Sequence, residues 1–181
     1  MCKWRGVARF LVVIWAVVFM AACMGRGVKP APFEIPMESR LILQVPYYAT
    51  DEYPQAAALA AVMAYNGRPH DAEAVARALG GKPVGPKKLV VFARQAELKA
   101  DFYNGKPEDI IQAVREDKPL IVKVEAAAGP LKAGDYAVIM GYTPVGPVIN
   151  SGSINQQIVD WNVFLSGWLA ARNLIISIEP L

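Results

Sequence analysis

The sequence predicts an α+β fold in which N-terminal helices pack on a mostly antiparallel sheet. Three observations carry that expectation. Between Gln55 and Glu116 the apolar residues recur at helical spacing in four blocks, each bounded by Pro, Asp, Asn or Gly. From Pro119 onward the pattern changes to short runs rich in Val and Ile, separated by Gly- and Pro-containing turns. Residues 39–181 carry no internal repeat and no low-complexity tract, and their length suits one domain with a proper core.

The domain opens with an apolar run from Arg40 to Val45, read as a strand ended by Pro46. Val45 to Gly67 organises the rest: an extended Val-Pro-Tyr-Tyr lead-in, an acidic turn at Asp51 and Glu52, then an Ala-rich helix from about Gln55 to Asn66. Pro54 falls at the first turn, where its missing N–H is not needed, and Asn66-Gly67 is a C-terminal stop. Leu59, Val62 and Met63 are expected on the buried side. Asp71 to Leu79 is a second helix with acid at its start and Gly80-Gly81 at its end, with His70 at or beside its cap. Lys87 to Leu98 reads as a third helix, Lys99 to Tyr103 as a short strand, and Pro107 to Glu116 as a fourth helix.

Pro119 to Glu125 and Asp135 to Tyr142 read as buried strands. Pro144 to Pro147 turns the chain, Val148-Ile149 returns as a hairpin, and Asn150 to Ser153 looks turn-like. A short strand is expected around Gln156 to Ile158. Asp160 then caps a helical segment from Trp161 to Arg172, and Leu174 to Ile178 closes the domain as a strand.

The first residues have another character. Lys3, Arg5 and Arg9 precede an apolar run from Phe10 to Met20, which is shorter than the roughly 20 residues a membrane-spanning helix needs. Met20-Ala21-Ala22-Cys23 follows as a small-residue cleavage site. This pattern resembles the bacterial lipoprotein signal, which implies that residues 1–22 are removed and that Cys23 is lipidated. Met24 resembles the pattern of lipoproteins sorted to the outer membrane, facing the periplasm. Residues 23–38, rich in Pro and Gly, are expected to act as a linker between the lipid and the domain at 39–181.

Removing residues 1–22 takes three basic charges, so Lys+Arg falls from 19 to 16 against 16 Asp+Glu. A neutral chain without basic clusters argues against nucleic-acid binding. Membrane attachment is then expected through the lipid. Cys2 and Cys23 are the two cysteines, so the domain carries no thiol and no disulfide. With His70 as the one histidine, no zinc site is expected, and no cofactor is implied.

A strand-like lead-in running into the first core helix is a layout that presents a nucleophile at a helix N-terminus, where dipole and backbone N–H groups favour a thiolate. Here the junction reads Tyr53-Pro54-Gln55-Ala56 and offers none. Val45-Pro46-Tyr47-Tyr48, Ala58-Leu59-Ala60 through Gly67, Leu120 to Val124, Gly134-Asp135-Tyr136 through Tyr142, Val148 to Gly152 and Phe164 to Trp168 together resemble the C39-like, papain-like peptidases, particularly their lipoprotein branch. That resemblance implies a papain-like fold over residues 40–181. It also implies a catalytic Cys at Pro54 or Gln55, depending on the register, a catalytic His at Asp135, and the third member at Asn150 or Ser151. The residue completing the oxyanion hole would fall near Thr50. Neither register yields a nucleophile, and an acid replaces the imidazole, so Cys–His chemistry is not expected.

The first functional expectation is therefore a pseudo-peptidase that binds a peptide or protein partner, with Tyr48, Gln55, Asp135 and Tyr136 as cleft candidates and Tyr47 and Tyr53 nearby. A second is a hydrolase using Asp135, Ser151, Ser153 or His70, for which no base is visible beside either Ser. A third is a structural lipoprotein within an envelope or secretion assembly.

Overall fold

The structure is a computed structural model that describes residues 33–42 and 44–181. The lipidation signal, Cys23 and the first part of the linker lie outside the described residues. In chain order the elements are β1 (Arg40–Leu41), α1 (Pro54–Tyr65), α2 (Ala72–Leu79), α3 (Pro86–Gln95), β2 (Leu98–Asn104) and α4 (Pro107–Arg115). There follow β3 (Leu120–Lys123), β4 (Tyr136–Tyr142), β5 (Pro147–Ser151), β6 (Ile154–Ile158), α5 (Trp161–Ala170) and β7 (Leu174–Pro180). Every strand pairing is antiparallel, in the spatial order β2-β7-β3-β4-β5-β6, with β1 adding to β4. The α+β expectation is met.

The first helix lies at the centre of the molecule. It contacts β3, β4 and β5 on the sheet and α2 and α3 among the helices. The sequence suggested one buried side at Leu59, Val62 and Met63. Instead every residue from Gln55 to Met63 is buried, because neighbours close over all sides of the helix. Six alanines within it let those neighbours approach closely. Pro54 occupies the first turn, and Asn66 closes the end by donating its side-chain amide to Val62 O at 2.8 Å.

All seven residues of β4 are buried, so both faces of this central strand are covered. On one face Val138 looks onto α1, where it lines a small pocket with Ala57, Ala58 and Ala61. By alternation Ile139 points to the opposite face, where it is also fully buried. Trp161, Phe164 and Trp168 of α5 form a further buried aromatic group, with Phe164 and Trp168 stacked at 5.7 Å. Asp160 caps α5 as expected, accepting from Asn162 N at 2.9 Å and Val163 N at 3.2 Å. At Gly146 a Cβ would lie 1.6 Å from Val159 O, so only glycine lets the β4–β5 turn pass the chain entering α5.

Some boundaries differ from the sequence expectation. The strand predicted over 40–45 is confined to Arg40–Leu41 and one further bond from Ile42 N to Met140 O at 2.7 Å. Gln44, at φ +68°, turns the chain out of the ladder. The third helix stops at Gln95, not Leu98, since Glu97 takes a left-handed φ of +60° and Leu98 enters β2. The last helix ends at Ala170, and Arg172 and Asn173 make a left-handed turn into β7. Asn150 and Ser151 belong to β5, so the turn is shorter than expected.

Phe33 to Glu38 fall at the end of the linker expected over residues 23–38. In the structure they are part of the same unit as the domain. The Phe33 ring meets Trp161 edge-on at 5.0 Å, and Glu38 accepts from Arg115 and from the Tyr142 hydroxyl. The Arg115 guanidinium, followed by Tyr142, holds the Glu38 carboxyl below its usual range.

Candidate functional site

The site is built where the lead-in to α1 meets the β5–β6 turn. Thr50 shapes the lead-in, its hydroxyl accepting from Glu52 N at 3.2 Å and Tyr53 N at 3.4 Å. Three bonds then join this segment to the turn. Gly152 O accepts from the Tyr47 hydroxyl at 3.0 Å and from Thr50 N at 3.2 Å, while Ser153 N donates to Asp51 Oδ1 at 3.1 Å. Gly152 makes the turn possible with φ +53°, and a Cβ there would press on Asp51. The lead-in is thereby held against β5 before the helix begins.

Between them lies a small pocket lined by Pro46, Tyr47, Tyr48, Pro54, Ala57, Ala58, Ala61, Val138, Asn150, Ser151 and Gly152. Its volume of about 10 Å³ has room for about one water molecule. Asn150 is 4 % exposed. Its Oδ1 accepts from Gln156 N at 2.7 Å, which assigns the amide orientation. Its Nδ2 has no partner among the described residues. Ser151 is also buried, and its hydroxyl donates to Tyr136 O at 2.8 Å.

The structure thus brings Tyr48, Pro54, Asn150 and Ser151 together around one pocket. Tyr47 lines it as well, whereas Gln55, Tyr136, Asp135 and His70 lie elsewhere. Gln55 is 4 % exposed and donates its amide to Lys82 O at 3.4 Å. Tyr136 is buried and donates its hydroxyl to Val84 O at 3.2 Å. Both therefore serve the loop between α2 and α3. Burial, with a smaller contribution from Glu125, pushes the Tyr136 phenol up to about 12. Asp135 folds back on its own turn, its Oδ2 accepting from Lys132 N at 2.7 Å and its N–H donating to Lys132 O at 3.1 Å. His70 sits in the α1–α2 loop, with Nδ1 2.9 Å from Arg68 O and its ring edge-on to Phe92 at 5.8 Å.

Pro54 has neither a nucleophilic atom nor an N–H. The Ser151 hydroxyl is committed to a backbone carbonyl, and no imidazole or thiol lines the cavity. Among the described residues no group of three His, Cys, Asp or Glu side chains is placed to hold a metal ion.

Sequence reasoning missed the groove next to this pocket. Tyr47, Tyr48, Ala49, Thr50, Glu52 and Tyr53 form one wall, and Asp71, Ala72 and Glu73 at the start of α2 form the other. Its volume is about 340 Å³. The acids of α2 were legible only as helix-start residues, a role Asp71 does play by accepting from Ala74 N at 2.8 Å. Nothing in the linear pattern places them opposite the tyrosines.

No protein-family model matches the sequence, and no curated protein matches it either. Solved structures do match. A structure described as a C39-like peptidase from Bacillus anthracis superposes with a TM-score of 0.68 at 17 % identity, covering 80 % of this chain and 98 % of that one. A double glycine motif protease from an AMS/PCAT transporter, in complex with the leader peptide, gives a TM-score of 0.61 at 18 % identity, covering 78 % and 99 %. The peptidase domain of Streptococcus ComA, a bifunctional ABC transporter involved in quorum sensing, gives 0.61 at 16 % identity, covering 78 % and 98 %. With helices on an antiparallel sheet and a helix start facing the central strands, this chain has the α+β, papain-like fold of the C39-like peptidases.

Proposed function

We propose that the protein is a pseudo-peptidase, anchored in the bacterial envelope through a lipid on Cys23, whose domain binds a peptide segment without cutting it. The observation that carries this reading is the pocket at the start of α1. The family's pattern calls for a thiol at Pro54 or Gln55, depending on the register, and neither position supplies one; Pro54 and Asn150, whose buried Nδ2 has no partner among the described residues, both line the pocket. Cys–His catalysis needs a thiolate within reach of a base, and residues 24–181 contain no cysteine. One structural neighbour was solved with a leader peptide bound, which supports a peptide as the ligand class here. The lipid anchor rests on the signal at Met20 to Cys23, and that signal favours the outer membrane, facing the periplasm.

The test places a photocrosslinking side chain at Tyr48, and in a separate protein at exposed Val91 of α3, in the full chain expressed in a Gram-negative envelope. Peptide adducts concentrated at Tyr48, with the captured peptide intact, support the reading. Adducts confined to Val91 point to a scaffold working through its outer helices and overturn it. Fractionation of Cys23→Ala tests the anchor: the variant leaves the membrane fraction if the lipid holds it there, and stays if the assignment is wrong.

A further inference from the structure

We propose that the exposed face of α5 lies against the lipid bilayer to which the chain is anchored, so that the domain is held in one orientation and does not swing freely on its tether. This rests on the reading of Cys23 as lipidated and adds the surface that meets the membrane.

The composition of α5 sets it apart. Its exposed residues are Asn162, Val163, Ser166, Leu169 and Ala170, which at about 100° per residue fall within one arc of about 120°. Trp161, Phe164, Gly167 and Trp168 face inward. No Asp, Glu, Lys or Arg occurs from Trp161 to Ala171. A surface helix ordinarily turns charged residues to water. The helices α2, α3 and α4 do so with Glu73 and Arg77, Lys87 and Lys88, and Glu108 and Arg115 respectively. On α5 the outward side chains are instead Leu169, 67 % exposed, and Val163, 40 % exposed, with only small uncharged residues between them. Exposed Val145 stands at the start of the same helix, where its carbonyl accepts from Trp161 N at 3.0 Å. An uncharged, partly apolar helix face of this kind suits the boundary between headgroups and acyl chains.

The second observation is where the anchoring segment ends. The Phe33 ring packs edge-on against Trp161, the first residue of α5, at 5.0 Å. Ten peptide steps join Phe33 to Cys23, at most about 35 Å of chain. A lipid on Cys23 therefore keeps this helix close to a bilayer. A tethered surface needs little affinity of its own, because its contact is intramolecular, at an effective concentration of about millimolar. A second copy of the chain is the competing occupant. The ten residues of α5 span only about 15 Å, so this face offers far less than the roughly 800 Å² per partner of a stable protein interface.

The experiment uses the lipidated protein in vesicles of phosphatidylethanolamine and phosphatidylglycerol. Residues 24–181 contain no cysteine, so a bimane label can be placed uniquely at Ser166→Cys, in the middle of the face, and in a separate protein at Lys88→Cys on α3. A lipid carrying a nitroxide just below its headgroup should quench the label at position 166 by about threefold or more and leave the label at position 88 nearly unchanged. The double substitution Val163→Asp, Leu169→Asp should bring quenching at position 166 down to the level at position 88. Flotation with the vesicles should continue in that variant, because the lipid still holds the chain. All four substituted positions are exposed, so these changes leave the core in place. Equal quenching at both labels, in protein that floats with the vesicles, overturns the inference and leaves the anchor standing. A label at position 166 that is shielded by pairing of two chains, with doubled mass in detergent and no quenching by lipid, assigns the face to a second copy and also overturns it. Protein that fails to float overturns the anchor reading and the inference with it.

Discussion

Replacing Tyr136 with Phe isolates the contact that closes the start of β4 against the α2–α3 loop. The ring is 3 % exposed and its hydroxyl donates to Val84 O at 3.2 Å. Deleting the hydroxyl leaves that carbonyl without its donor, for a loss of about 1 kcal/mol at pH 7. For a domain of this size, that lowers Tm by about 2–4 °C. The pH dependence is more specific. Burial raises the Tyr136 pKa from 10.0 to about 12, so the unfolded chain loses this proton before the folded one does. The stability this confers is fully present below pH 10 and is lost as pH rises towards 12. Two pH units at about 1.4 kcal/mol each set a ceiling near 2.7 kcal/mol, and solvent screening near the loop brings the expectation to about 1–2 kcal/mol. Urea titrations at pH 7, 9, 10.5 and 11.5 measure it. The difference between wild type and variant should be constant up to pH 9, then shrink and reverse sign. Tyr65 and Tyr103, also raised by burial, titrate in both proteins and cancel. Parallel profiles throughout would refute the assignment of Tyr136 as a buried structural phenol.

Two further substitutions probe the frame. Asp160→Ala removes a cap that satisfies two N–H groups of α5, and should cost about 1 kcal/mol in urea denaturation, with Asn at the same position restoring most of it. Gly146→Ala drives a methyl group into the backbone at Val159. It should destabilise by more than about 3 kcal/mol, or abolish soluble expression, whereas Gly80→Ala, with open space around its Cβ, should lose only the cost of its left-handed φ, about 1 kcal/mol.

Much of the frame was legible because the strongest local signals agree with the tertiary structure. Pro54, Asn66-Gly67, Asp160 and the Val- and Ile-rich runs at β3, β4 and β7 each mark a boundary or a buried strand that folds as read. Several misplaced boundaries lie beside residues with positive φ. Gln44, Glu97 and Arg172 take left-handed backbone angles that their residue types do not announce, and β1, α3 and α5 end shortly before them instead of where the apolar pattern ends. The candidate site was legible in part. Of the residues named from the motifs, Pro54, Tyr48, Asn150 and Ser151 line one pocket, while Gln55, Asp135 and Tyr136 do not. The roles of Gln55 and Tyr136 depend on the Lys82 to Val84 loop, whose approach is a long-range contact with no local pattern. The acidic side of the groove was hidden for a similar reason, since Asp71 and Glu73 also serve as helix-start residues.

In the proposed function, the papain-like frame persists while the hydrolytic chemistry is gone. Its most direct test incubates the mature protein with a broad library of internally quenched peptides at pH 5–9. Cleavage indistinguishable from buffer across the library, from protein whose fold is verified by its thermal transition, is the predicted result. Hydrolysis that proceeds in the wild type and disappears in Ser151→Ala or Asp135→Ala would contradict it, and would assign the pocket a catalytic role built from other residues.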